Sequence, residues 1–258
     1  MLLVLSLLLH FLPGARAQQD SLRFISYNIH HAGPPSRPNT IDVDAVIRLL
    51  ETSGADVIAL QEVDVNTKRS GGVDQARRIA EGLGMTAYFG KAIDHDGGEY
   101  GVALLSRYPM SGQELTRLPM DTAGKGEQRV LITAQIRLLS GRTVRIGCTH
   151  LDHRADPKSR LLQVAAIRAV AVKQKEAFIL GGDFNDTEGS APIDSLKQDF
   201  TSSCSPCAFT FPAHRPNRTI DFILFSRDRD ISVRSHSVIA NSDPSDHLAI
   251  RTVLQLGK

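Results

Sequence analysis

In this 258-residue chain, side chains that can move a proton or hold an ion recur where apolar runs stop. The densest case is Ile179-Leu180-Gly181-Gly182-Asp183-Phe184-Asn185. Ala177 to Leu180 reads as a buried strand, and the two glycines are expected to end it with a sharp turn. In an α/β fold, ligands bind at the carboxyl ends of strands. Asp183 supplies a charged acceptor there, and Asn185 an amide that can donate to a phosphoryl oxygen. Asn28, Glu62, His150 and the pair Asp246-His247 fall at comparable places, and Asp221 lies at the start of a strand. Taken singly, each has a plain structural alternative as a loop cap, a turn former, a solvated strand end or a satisfied buried histidine. Their joint recurrence, in order, argues for one site.

The elements that must position these residues can be read in turn. Leu22 to Asn28 alternates as a first strand, followed by a Gly/Pro-rich loop from Gly33 to Pro38. Asp42 to Glu51 reads as a helix with Val43, Val46, Ile47 and Leu50 on one face. Asp56 to Leu60 is a short apolar strand with Glu62 just beyond it, and Asp74 to Leu83 is a second helix stopped by Gly84. Val102 to Leu105 is a strand. Val130 to Leu138 and Thr143 to Thr149 form a hairpin across Ser140-Gly141. Lys158 to Lys175 is the longest helix, with Leu161, Leu162, Ala165, Arg168 and Val172 in a rough helical period. Strands at Ile220 to Phe225, Ile231 to Ile239 and Leu248 to Leu254 complete the pattern. Such a mixture of βα units and hairpins calls for mixed sheets covered by helices.

Composition is that of an ordinary globular protein, 41% hydrophobic and 22% charged. A net charge of +2 argues against a protein that coats nucleic acid, though not against a local basic groove. Residues 1–17 stand apart: Leu2 to Leu12 is almost wholly apolar, and Ala15-Arg16-Ala17 has the form of a cleavage site. They read as a signal peptide cut after Ala17, leaving residues 18–258 as one exported domain. Three cysteines are too few for a disulfide-built scaffold. Cys204 and Cys207 read as a small structural disulfide or as two idle thiols, and Cys148 as a core residue.

The series Tyr27-Asn28, Leu60-Gln61-Glu62-Val63, Thr149-His150-Leu151, Gly182-Asp183-Phe184-Asn185, Ile220-Asp221-Phe222-Ile223-Leu224 and Ser245-Asp246-His247 resembles the endonuclease/exonuclease/phosphatase superfamily. The resemblance covers nearly the whole chain after Leu22. It implies a four-layer α/β sandwich of two packed mixed sheets with helices outside, and a metal-dependent phosphoesterase site at one edge. Residue by residue, it implies Glu62 as the main metal carboxylate with Asn28 beside it and Asp246 as a further ligand. The implied ion is Mg²⁺, with Mn²⁺ as an alternative. Asp183 would orient or deprotonate the attacking water, Asn185 would donate to the phosphoryl group, and His247, backed by Asp221, would hold the phosphate. His150 resembles a second histidine near the leaving group, with Glu99 as its expected partner.

The expected substrate is a phosphate ester, either a lipid headgroup or another small phosphodiester; a nucleic acid is the alternative. Segments at Thr67 to Gln75 and Thr210 to Asp221 look like those of a bacterial secreted branch. Arg69, Arg215 and Arg218 are candidate phosphate contacts, with solvated surface arginines as the competing reading. His30 and His31 are candidates for the site mouth or plain loop histidines. A catalytically silent binding module is a third reading, disfavoured because Glu62, Asp183 and His247 are all present. Nothing in the sequence calls for an obligate protein partner.

Overall fold

The computed structural model describes residues 20–121, 126–227, 229–241 and 243–257. The apolar leader and its cleavage point at Ala17 lie outside the described residues. Strands β1 (Asp20–Asn28), β2 (Val57–Val65), β3 (Thr86–His95) and β4 (Gly98–Ser106) come first along the chain. They are followed by β5 (Met110–Leu118), β6 (Arg129–Arg137), β7 (Thr143–His150) and β8 (Ala177–Asp183). The last four are β9 (Phe200–Ser202), β10 (Asp221–Ser226), β11 (Ile231–Val238) and β12 (Ile250–Leu256). Among the described residues they form two six-stranded sheets, ordered β11-β12-β1-β2-β4-β3 and β5-β6-β7-β8-β10-β9.

The period-two alternation of β1 shows how the layers arise. Leu22 and Phe24 point between the sheets, where they meet Ala59, Ile132, Ile146 and Ile179. Ile25 and Tyr27 point the other way, toward helices α1 (Val43–Glu51) and α2 (Gln75–Leu83). On the outer face of the second sheet, Phe178, Leu180 and Phe222 pack against helices α3 (Lys158–Ala171) and α4 (Ala191–Leu196). The result is the expected four-layer sandwich. Each fully buried Leu, Ile or Phe contributes about 1.5–3 kcal/mol relative to exposure. The side chains of Asp42 and Asp74 cap α1 and α2 by accepting from the Ala45 and Arg77 amides. Gly84, at φ 62°, stops α2 in the left-handed conformation that its lack of Cβ permits.

Several expectations need correction. Gly181 and Gly182 do not end the central strand but lie inside β8, which runs on to Asp183. A Cβ on Gly181 would stand 2.8 Å from Phe24 and 3.0 Å from Ala59, so this glycine lets the two sheets approach. Glu62 lies not beyond β2 but within it, at an irregularity in its pairing with β4 between Leu60 and Val63. Helix α3 ends at Ala171 and buries Arg160, Gln163, Val164 and Ile167, leaving Leu161, Leu162 and Val172 exposed. The reason is polar: the Arg160 guanidinium reaches inward to Asp186 and to the Asp152 carbonyl and fixes which side faces the sheet. Strands β3, β5 and β9 and the short helix α4 form where the sequence pattern predicts no element. Cys204 and Cys207 are joined as a disulfide.

Candidate active site

Two parallel pairs set the position of the site. β1 runs beside β2, and β7 beside β8, so their carboxyl ends open at the same edge of the sandwich. Register then places His150 directly opposite Asp183 on one side, and Asp221 opposite Asp183 on the other. Asn28, opposite Gln61, arrives from the first sheet. The Ser245 hydroxyl donates to the Asn28 carbonyl at 2.7 Å and accepts from the His247 amide at 3.1 Å, tying the β11–β12 loop to the end of β1.

The side chains converge on Asp183, which is buried. Its Oδ2 accepts from the Asn28 amide at 3.0 Å and its Oδ1 from the Asn185 backbone at 2.9 Å. His150 Nε2 and His247 Nε2 stand 3.5 Å and 3.7 Å from the same Oδ2. The Asn28 amide also donates to Glu62 Oε1 at 2.9 Å, while its own oxygen accepts from the His30 backbone at 3.0 Å. His247 Nδ1 lies 3.0 Å from Asp221 Oδ2, which also accepts from the Thr210 hydroxyl at 2.6 Å. Phe211 packs on the His247 ring with centroids 4.6 Å apart.

Burial raises the Asp183 carboxyl to about 7, against the pull of His247. Burial alone would lower His247, but the carboxylates of Asp221 and Asp183 outweigh it and lift the imidazole to about 10. His150 goes the other way: burial, then the Arg129 and His247 charges, hold it well below the ordinary histidine range. At neutral pH the site therefore holds a charged histidine, a neutral one and a carboxyl poised to take or give a proton.

Glu62, Asp246, His150, Asp183, Asn185, His247 and Arg218 line one cavity of about 500 Å³, with Asp221 behind His247. Arg218 lies with its guanidinium 4.8 Å over the Phe211 ring. Arg215 is exposed and does not line this cavity. Arg69 does not reach it either: both its Nε and NH2 donate at 2.7 Å to the carboxylate of buried Asp64. It lines a neighbouring cavity of about 540 Å³ with His30 and His31, and His30 belongs to both. Burial lowers the His31 imidazole to about 4, helped by the charge of Arg69. Glu99 pairs with Lys91 at 3.1 Å and is not the partner of His150.

His150 has the Asn185 amide at Nε2, 3.0 Å away, and at Nδ1 Arg129, which sequence reasoning missed. This buried guanidinium donates from NH1 to His150 Nδ1 at 3.1 Å and meets Glu127 at 3.2 Å. The signal was the Ser140-Gly141 hairpin. Continuing the register from the pair Leu131–Thr149 by one step brings the head of β6 alongside His150.

The sequence profile described as "Endonuclease/Exonuclease/phosphatase family" matches residues 25–247. The chain belongs to the endonuclease/exonuclease/phosphatase family. Among family relatives, YbhP of Escherichia coli strain K12 is 25% identical over 220 residues, covering 81% of this chain and 86% of YbhP. A Bacteroides thetaiotaomicron endonuclease/exonuclease/phosphatase family protein has a TM-score of 0.79 at 17% identity, covering 93% of this chain and 100% of that one. The mannosyl-6-phosphatase Bt3783 of Bacteroides thetaiotaomicron VPI-5482 has a TM-score of 0.74 at 17% identity, covering 90% of this chain and 99% of its own. These structural likenesses establish the fold. The family acts on phosphoesters as phosphatases, nucleases and phosphodiesterases, and its members generally use divalent metals.

Proposed function

We propose that this chain is a Mg²⁺-dependent phosphodiesterase whose substrate is a small phosphodiester such as a lipid headgroup. The reading is carried by Asp183, whose Oδ2 is shared by two histidines tuned in opposite directions. A carboxyl raised to about 7 accepts a proton from water at neutral pH without being lost to solvation. His247, kept as an imidazolium by Asp221, presents its Nε2–H to an anionic phosphoryl oxygen. His150, held neutral, meets the Asn185 amide at its Nε2 at 3.0 Å and positions that amide beside the departing oxygen. Arg129 and Arg218 add positive charge to the same cavity.

The donor set suits a hard cation. Glu62 and Asp246 offer oxygen at the mouth, and the Asn28 amide spans the gap between Glu62 and Asp183. A bound Mg²⁺, or Mn²⁺, would polarise the phosphoryl oxygen and neutralise developing charge. The Asp183–Asp221–His247 group also clusters ligating atoms. We read it as the proton-handling array, because His247 already spends Nδ1 on Asp221.

A diester carries a group on each side of phosphorus, and two cavities meeting at His30 suit that shape. The disulfide of Cys204 and Cys207, with the apolar leader, supports export to an oxidising compartment. The deciding experiment assays bis-(p-nitrophenyl) phosphate, p-nitrophenyl phosphate, plasmid DNA, RNA and a phospholipid panel, with and without Mg²⁺ or Mn²⁺. Metal-dependent turnover of diesters, lost in Asp183→Ala, is expected. Preference for the monoester or for nucleic acid replaces the substrate class with a phosphatase or a nuclease. Silence on the whole panel leaves the binding module as the better reading.

A further inference from the structure

We infer that His30, His31 and Glu62 form a second divalent-cation site, of mixed nitrogen and oxygen ligands, beside the oxygen site of Glu62 and Asp246. One ligating atom from each of the three residues lies within 4.8 Å of the others. They are brought together by an unusual backbone. His30, His31 and Ala32 adopt φ of 46°, 45° and 58° in succession, and Glu62 sits at 57°. Left-handed backbone costs a non-glycine residue roughly 1–2 kcal/mol. Such strain persists where neighbours over-determine it, and it clusters at ligand sites. Here the Asn28 side chain accepts from the His30 amide at 3.0 Å, and Gln75 donates to the His31 carbonyl at 2.7 Å. The turn sets the two rings 4.4 Å apart.

The state of the rings suits metal binding. His30 Nδ1 lies 2.9 Å from the Gly33 carbonyl oxygen. A carbonyl can only accept, so the proton sits on Nδ1 and the Nε2 lone pair is free, as in metal-binding histidines with an outer hydrogen bond. His31 Nδ1 is buried and finds no hydrogen-bond partner among the described residues. A buried polar atom left so costs about 1–3 kcal/mol unless something binds it. Gly33 keeps the space open, since a Cβ there would come within 2.9 Å of His31 Nε2.

Two imidazoles and a carboxylate are the ligands of a borderline ion such as Zn²⁺ or Co²⁺, with an open position left over, whereas Mg²⁺ keeps to oxygen. Glu62 turns Oε1 toward Asn28 and has a second oxygen for the neighbouring ion. The inference rests on ligand geometry and not on the phosphoesterase reading.

The test adds Zn²⁺ alone by calorimetry, then Co²⁺ as a visible-absorption reporter, to the purified chain in saturating Mg²⁺. One equivalent of Co²⁺ with the bands of a nitrogen-bearing site of low coordination number is expected. His30→Asn/His31→Asn keeps a residue that tolerates left-handed backbone, so the fold survives and circular dichroism can verify it. In that variant the Co²⁺ bands should vanish and Zn²⁺ affinity fall by roughly 100-fold or more. Unchanged Zn²⁺ affinity in the folded double variant overturns the site. So does Zn²⁺ that merely replaces Mg²⁺ one for one without an imidazole signature. Asp183→Ala should silence hydrolysis yet retain this Zn²⁺ equivalent, so the two readings fail separately.

Discussion

Arg129 donates a hydrogen bond from NH1 to Nδ1 of His150 at 3.1 Å. The Asn185 amide meets the other ring nitrogen, Nε2, at 3.0 Å, and since arginine and an amide nitrogen have no lone pair to offer, neither contact favours a second proton on the ring. His247 is in the reverse situation, with its Nδ1 against the Asp221 carboxylate at 3.0 Å. Both rings then turn Nε2 toward one oxygen of Asp183. Environments that push like groups apart are how one site holds a charged imidazolium and a neutral imidazole at the same pH.

Replacing Arg129 with Met removes that cation while keeping much of the side-chain volume. The His150 imidazole should then titrate at higher pH than in the parent chain, read by nitrogen-15 NMR of the ring. Turnover should fall as well. A His150 that stays neutral to the same low pH in the variant would mean burial alone sets its state.

Asp221→Asn takes the carboxylate from behind His247. The alkaline limb of the pH–rate profile should move to lower pH, with turnover at neutral pH down by roughly 10²-fold or more. Stability carries the same signature. His247 is raised from 6.5 to about 10, so its contribution is fully present below pH 6.5 and is lost as pH climbs through about 10. Urea unfolding across that window should show the decline in the parent and a flattened curve in Asp221→Asn.

Asp183→Asn should trade activity for stability. The folded carboxyl is raised from 3.8 to about 7. Keeping it charged therefore costs stability above pH 7, and that cost disappears as pH falls toward 4. At pH 8 the variant should melt at a higher temperature than the parent, with the gain shrinking by pH 5. Its turnover should drop by about 10²–10⁴-fold. Equal melting temperatures at pH 8 would show that water or an ion already satisfies the charge.

Arg69 and Arg215 separate cleanly. Arg69→Ala leaves the fully buried Asp64 carboxylate without its counter-charge, a loss of about 3 kcal/mol or more in denaturant unfolding. Arg215→Ala touches an exposed side chain and should change stability by less than about 0.5 kcal/mol. A large drop in turnover in Arg215→Ala, with stability intact, would give that arginine a substrate role which its position does not suggest.

The strand-end residues were legible because apolar runs stop abruptly at Asn28, His150 and Asp183, and a buried strand has few reasons to end on such groups. Glu62 was found for the right type and the wrong place, since no residue pattern announces a left-handed glutamate within a strand. Arg129 escaped because it begins a strand instead of ending one, and an arginine at a strand head looks solvated until the hairpin register is counted. Strand β5 was invisible for a different reason: residues 111–115 are all exposed, so no alternation was there to read. The face of α3 was misread because Arg160, not a leucine, decides which way the helix turns.

The position of β12 ties the integrity of one sheet to the integrity of the site. β12 lies between β11 and β1, and the loop before it carries Asp246 and His247. The His247 ring stands between Asp221 and Asp183, which belong to the other sheet. Parting β12 from β1 would therefore withdraw the imidazole from both carboxylates, so the seam between these two strands and the proton-handling array stand or fall together.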